Sequence, residues 1–148
     1  MATLLPYTLS ARNICLDIFD SNVPRYFDPA ERKQFASFLM APLGQYFVVE
    51  RDGDVLACGG YLVLSDPSVA ELTWGMVHGE QHGSGLGRFL TQARLDVVRS
   101  LPGVTRSHID TSQHVQGFYL NLGFVVTSVE VDGHGPGIDS IRMELAFS

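Results

Sequence analysis

"VHGEQHGSGLGRFL", residues 77–90, is the stretch on which the reading of this chain turns. It leaves an apolar run, passes Gly79, Gly83, Gly85 and Gly87, and enters a segment whose apolar residues recur at helical spacing. A strand, a glycine turn and a helix start form an adequate anion site. Glycines admit a close backbone approach, the first amides of a helix lack internal partners, and the helix dipole favours negative charge there. The stretch has no basic residue before Arg88. A P-loop would place Lys and Ser or Thr after its last glycine, whereas Gly87 is followed by Arg88 and Phe89. A dinucleotide fingerprint begins correctly with Gly83 and Gly85 but meets Arg at position 88, and it would belong to a first β-α-β unit. On this stretch alone, a ligand cradle and a merely tight strand-to-helix turn remain equal alternatives.

Outward from the loop, Leu86, Leu90, Ala93, Leu95 and Val97 predict a helix that Pro102 and Gly103 terminate. Upstream, "QYFVVE", a turn at Asp52-Gly53, "VLACGGYLVL", a break at "SDPS" and "VAELTWGMVH" predict an antiparallel meander. Before it come a strand, "TLLPYTLS", a helical segment, "ICLDIFDSNVPRYF", broken near Pro24, and a second helix, "DPAERKQFASFLMA". Asp28 as N-cap, Pro29 in the first helical position and Glu31 three residues after Asp28 supply that helix's start. Downstream, "VTRSHIDTS" predicts a strand, "QHVQGFYLNLG" a short helix ended by Gly123, and "FVVTSVEVD" and "SIRMELAF" closing strands around the loop "GHGPGI". The order is β-αα-βββ-α-β-α-ββ. This is an α+β fold: a mixed, mostly antiparallel sheet flanked by helices.

The length of 148 residues suits a single domain, residues 1–148, with a core large enough to need no staples. An apolar content of 45% excludes a disordered chain, and no apolar run approaches the ~20 residues of a membrane span. No signal-peptide pattern opens the sequence, so a cytoplasmic location is expected. Cys15 and Cys58 stand outside any CxxC or Cys/His cluster and read as buried apolar residues. Ten Lys and Arg against sixteen Asp and Glu, with no basic stripe, argue against a nucleic-acid partner. The net charge of -6 suits a cationic substrate, although mild acidity also serves solubility. The five histidines, with His78 and His82 separated by glycines, complete no metal-ligand spacing.

The loop resembles the acyl-CoA-binding motif of the GNAT superfamily of N-acyltransferases, Arg/Gln-x-x-Gly-x-Gly/Ala, with His82, Gly85 and Gly87 in the three defined positions. A second stretch, "SQHVQGFYLNLGF", resembles that family's Asn-x-x-Ala-x-x-Phe-Tyr-x-x-x-Gly-Phe through Phe118, Tyr119, Gly123 and Phe124. The resemblance covers nearly the whole chain and is weakest over residues 1–44. It implies a GNAT-type fold and a cytosolic N-acetyltransferase that uses acetyl-CoA, without a metal, to acetylate an amine of a small molecule or peptide. The pyrophosphate is then expected on the amides of His82, Gly83, Ser84, Gly85, Leu86, Gly87 and Arg88, and the pantetheine arm along Met76 and Val77. Ser112 replaces the family's Asn as a cofactor contact, Val115 replaces its Ala, and Gly79 stands where proline is common. Homodimers are frequent in that family.

The same resemblance makes Tyr119 the acid that protonates the departing thiolate. Glu71, opening the strand before the loop, becomes a general base through water or a counter-charge for the amine. Glu80 is expected to point outward. Because His82 replaces Arg or Gln, its charge, or that of Arg88, is expected to contribute to phosphate binding. The acceptor pocket falls to residues 15–40 and the last hairpin, where His134 is a candidate border residue; Phe27, Phe35 and Phe38 suit either its walls or the core. Two other readings stay open: an acyl-CoA-binding domain without turnover, and a structural or interaction domain.

Overall fold

The computed structural model describes residues 1–148. Seven strands form one sheet: β1 (Ala2–Pro6), β2 (Gln45–Arg51), β3 (Asp54–Val63), β4 (Val69–Val77), β5 (Arg106–Thr111), β6 (Val125–Gly135) and β7 (Ile138–Ala146). Their spatial order is β1-β2-β3-β4-β5-β7-β6. Four helices accompany them: α1 (Arg12–Asp20), α2 (Arg32–Met40), α3 (Leu86–Ser100) and α4 (Gln116–Asn121). The chain order therefore follows the one read from the sequence. Every neighbouring pair is antiparallel except β4 and β5.

Alternation along β2 and β3 assigns the two sheet faces. Val48 and Cys58 point to one side, where Cys15, Ile18, Phe19, Phe35 and Leu39 of α1 and α2 meet them. Val49 and Ala57 point to the other, onto Leu86 and Leu90 of α3. Further along that second face, Leu72, Ile109, Ile141 and Met143 pack with Leu95, Val98, Tyr119 and Phe124. The predicted capping box forms, at the head of a 3-10 turn, Pro29–Glu31, that leads into α2: Ala30 N donates to Asp28 Oδ1 (2.8 Å) and Asp28 N to Glu31 Oε1 (3.1 Å).

Two features of β4 open the sheet. Its parallel pairing with β5 runs only from Val69↔Arg106 to Leu72↔Ile109. Beyond Leu72 the strands part, leaving the last residues of β4 with a free edge. On its other side the register with β3 slips between Cys58↔Met76 and Gly60↔Thr73, so that β4 carries a bulge. Trp74 sits in that bulge with a φ of 40°, an unfavourable conformation for a bulky residue. Its carbonyl accepts from the Tyr46 hydroxyl (2.8 Å), and its ring lies 4.9 Å from that of Phe35. These contacts hold the bulge in place.

The structure alters three local expectations. The first strand stops at Pro6, because the chain turns through a 3-10 turn at Leu9–Ala11 into α1. Strand β6 continues through Gly133, His134 and Gly135, reducing the predicted "GHGPGI" loop to a tip at Pro136-Gly137. The buried stripe of α3 is Leu86, Leu90, Thr91, Arg94, Leu95 and Val98, with Ala93 and Val97 only half-buried. The stripe thus includes a charged residue.

Candidate active site

A cleft of about 1020 Å³ occupies the gap between β4 and β5. It reaches both faces of the sheet. At one end lie Gly83, Gly85, Gly87 and Arg88, in the middle Thr73, Gly75, Met76, Val77, Ser112 and Tyr119, and at the other end Glu31, Glu71, Asp110 and His134. Of the residues expected from the sequence to act in catalysis or hold the cofactor, the cleft gathers all but Ser84 and Leu86. Ser84 spends its hydroxyl on the Gln81 carbonyl (2.6 Å), and the Leu86 side chain is fully buried in the core. Leu86 can therefore offer only its amide.

The loop owes its path to backbone conformation. Gly83 and Gly85 have φ values of 81° and 88°, where a side chain would strain the chain although nothing lies within 4 Å of an added Cβ. The first helical bond of α3 runs from Phe89 N to Gly85 O (3.0 Å), so the amides of residues 86–88 have no partner within the helix. Arg51, from the end of β2, reaches the Ser84 carbonyl (3.4 Å) and with Arg88 brings positive charge beside these amides. Nothing in the spacing of the residues connects Arg51 with the loop. It is thirty-three residues away and meets it only through the sheet.

Gly87 tests whether the cleft suits a bound ligand. Its backbone is ordinary helix, and an added Cβ would meet Phe118 and Val77 only at ordinary contact distances of 3.7 Å. Gly117 in α4 is equally unconstrained, with nothing within 4 Å. Glycine inside a helix costs about 1 kcal/mol relative to alanine. Both positions line the cleft, so the two helices keep open a space that the protein itself does not fill.

His82 is exposed but is not free. Its ring lies 4.9 Å from the Tyr26 ring, and Nε2 donates to the Val77 carbonyl (3.1 Å). The same carbonyl accepts from Asn22 Nδ2 (2.9 Å). Both lone pairs of Val77 O are thus used within the protein. Ser112 is buried; its Oγ accepts from His114 N (3.3 Å) and keeps its own hydrogen free to donate. Glu80 is exposed, as expected.

Tyr119 is buried at the centre of the cleft, between Phe118 and Phe124. Burial raises its pKa, while Arg94 and Thr91 of α3 pull it back. Arg94 is fully buried and belongs to no ion pair. Neither residue emerged from the sequence. A clue was available: Arg94 stands four residues after Leu90 and four before Val98, on an otherwise apolar stripe.

The far end is acidic. Glu71 Oε1 is bound by Arg142 Nη2 (2.8 Å), so this candidate base is paired. His134 Nε2 donates to Asp110 Oδ1 (2.9 Å), its Nδ1 lies 3.6 Å from Glu31 Oε2, and Ser140 donates to the same Asp110 oxygen (2.9 Å). The bond to Asp110 raises the His134 pKa. Burial pushes Asp110 upward, but His134 and Ser140 outweigh it and the net shift is down. Burial leaves Glu31 raised. Tyr26, Phe27, Phe38 and Trp74 complete this end, whereas Phe35 is core.

The chain matches the family model of the acetyltransferase (GNAT) family over residues 12–124. No functionally curated protein matches it in sequence. Among solved structures it is similar to the ribosomal-protein-S18-alanine N-acetyltransferase of Escherichia coli, at 21% identity and a TM-score of 0.82, covering 100% of this chain and 95% of that one. A Desulfovibrio desulfuricans structure assigned to the GNAT family aligns over 100% of both chains, at 20% identity and a TM-score of 0.84. An aminoglycoside 6'-N-acetyltransferase complexed with coenzyme A aligns over 97% of this chain and 96% of its own, at 13% identity and a TM-score of 0.76.

Proposed function

The chain belongs to the acetyltransferase (GNAT) family, whose members are acetyl-CoA-dependent acyltransferases, and we propose that it transfers acetyl from acetyl-CoA to a primary amine of a small molecule or peptide. The observation that carries this reading is the continuity of one cleft. It joins the unpartnered amides of residues 86–88 to the Tyr119 phenol and then to the carboxylates of Glu31, Glu71 and Asp110. An anionic donor is drawn to the first end and a cationic acceptor to the last. The pyrophosphate rests on the amides from His82 to Arg88, and the pantetheine follows the free edge of β4 at Met76 and Val77. With Val77 O occupied, that edge serves as a donor. Ser112 adds its hydroxyl.

In this reading the amine attacks the acetyl carbonyl directly, the C–S bond breaks, and Tyr119 gives its proton to the sulfur. A free carboxylate near the amine would serve as base. Glu71, held by Arg142, is better suited to attract and orient the ammonium. Glu71→Gln then raises the KM for the amine several-fold with little change in kcat; a collapse of kcat with an altered pH profile would restore it as the base. The two cysteines are buried and free, and no helix is long and apolar enough to cross a membrane. A cytoplasmic site of action accords with both.

The direct test is a thermal-shift titration with acetyl-CoA followed by CoA release over a panel of amines, amino acids, polyamines and N-terminal peptides. Ligand at 100 times its Kd adds about 2.7 kcal/mol, a shift of several degrees for a chain of this size. Absence of any shift would remove the cofactor. Binding without release over the whole panel would instead favour a non-catalytic acyl-CoA-binding domain, a reading to which the pairing of Glu71 lends some weight.

A further inference from the structure

Arg94 is unusual on physical grounds alone. A buried guanidinium normally needs a carboxylate or a full set of acceptors, because desolvation of the charge costs several kcal/mol. Here Nη1 donates to the carbonyls of Gly60 (3.1 Å) and Thr73 (3.4 Å), while Nε and Nη2 are buried without partners. The titratable groups around it are Tyr119 of α4, Tyr46 of β2 and Cys58 of β3, all uncharged when protonated. Burial keeps Tyr46 and Cys58 well above their ordinary values, so both stay neutral. That leaves Tyr119, which lines the same cleft as Arg94, as the neighbour that can become an anion during turnover.

The chain makes room for this charge. A Cβ on Gly75 would come 2.6 Å from Arg94 Nη2, and one on Gly59 would come 3.1 Å from Cζ. Gly59 and Gly75 lie at the register slip between β3 and β4, so the guanidinium rests against the strand pair where the sheet begins to open. Through Gly60 O and Thr73 O it also ties the two strands together across the bulge. Thr91, one turn earlier on α3, acts on the phenol from the same helix.

We propose that Arg94 is a positioning residue of the acyl-transfer reaction, acting from behind Tyr119 to fix the phenol and to balance the tyrosinate left when its proton passes to the CoA sulfur. The inference rests on the acetyl-transfer reading. In the reaction the amine nitrogen forms a bond to the acetyl carbon, the C–S bond breaks with its electron pair going to sulfur, and the sulfur takes the Tyr119 proton. The proton lost by the amine goes to water, and water re-protonates Tyr119. A phenol (about 10) is a weaker acid than a thiol (about 8.5), and burial weakens it further. A fixed positive charge beside the phenol reduces that disadvantage at the moment of transfer.

The test begins without substrate. The ring carbon bearing the Tyr119 hydroxyl, 13C-labelled and assigned by its loss in Tyr119→Phe, is titrated by NMR in the wild type and in Arg94→Gln. The expected result is a phenol that ionises at clearly higher pH in the variant. Identical titration curves would overturn the proposal, whether or not the protein turns over acetyl-CoA. The second measurement is a kinetic cycle: Arg94→Gln lowers kcat at neutral pH tenfold or more in the wild-type background and has little effect beside Tyr119→Phe. Equal losses in both backgrounds would show a merely structural role. Should Arg94→Gln fail to fold, the Arg94 15Nε resonance is followed in wild type and Tyr119→Phe across the phenol titration. It moves with pH in the former alone, and indifference to Tyr119 would overturn the assignment.

Discussion

The two ends of the cleft are built on different principles. The donor end, from Gly83 to Arg88, uses contiguous backbone: left-handed glycines aim the chain, and a helix start supplies amides that no side chain can replace. The acceptor end uses side chains from distant segments, with Glu31 before α2, Glu71 on β4, Asp110 on β5 and His134 on β6. Backbone donors recognise what all acyl-CoA donors share. Side chains on separate elements can change one at a time, which is how a common chemistry acquires a particular acceptor. Between the ends, Tyr119 and Arg94 are buried, and in the proposed reaction they serve the bond that breaks.

Substitutions that affect one part and spare the others sharpen this contrast. The largest effect is expected at the centre: Tyr119→Phe lowers kcat by roughly a hundredfold or more while acetyl-CoA affinity stays within a few-fold. Unchanged turnover would leave the cleft without its acid. Next comes the donor end, where two changes at Gly87 separate ligand from fold. Alanine, which the family's motif admits at this position, leaves acetyl-CoA binding within a few-fold, whereas Gly87→Leu fills the space beside Phe118 and Val77 and weakens binding about tenfold or more while the protein stays folded. A Gly87→Leu variant that binds as tightly as the wild type would mean that Gly87 faces no ligand.

The smallest effect belongs to the acceptor end and is a matter of pH. Hydrogen bonding to Asp110 raises the His134 pKa, so the stability it contributes is fully present below about 6.5, the unfolded value, and is lost as pH rises through the higher folded value. The net lowering at Asp110 acts on the acid side: its contribution is present above about 3.9 and lost as pH falls through the depressed folded value. The Tm difference between wild type and His134→Gln should therefore be greatest between these limits and shrink on either side. Both side chains are partly exposed, so salt should reduce it. A difference independent of pH from 4 to 8 would dissociate His134 from Asp110.

Much of this was legible in the residues and some was not, for reasons specific to each position. The capping box at Asp28 and Glu31 is local, spanning four residues, and it forms. The glycine loop and α3 are local as well. The buried stripe of α3 differs from the one its apolar spacing predicts, because Ala93 and Val97 are only half-buried and the helix turns Arg94 inward. Only the glycines at 59 and 75, from two other strands, make its burial possible. His134 read as a hairpin-loop residue because glycines surround it, yet pairing with β7 extends the strand around it and brings it to Asp110.

By itself the sequence determined the order of elements, the sheet with helices, the glycine turn that leads into α3 and the tyrosine that follows it in α4, since each depends on spacing within one turn, strand or helix. Only the tertiary structure decided that β4 and β5 separate after Leu72, that Glu71 is held by Arg142, and that a buried guanidinium without an ion pair lines the same cleft as Tyr119. Those depend on which strands become neighbours and which charges then lie within a few ångströms of one another. Coulomb energy and burial follow distance in space, which separation along the chain does not fix.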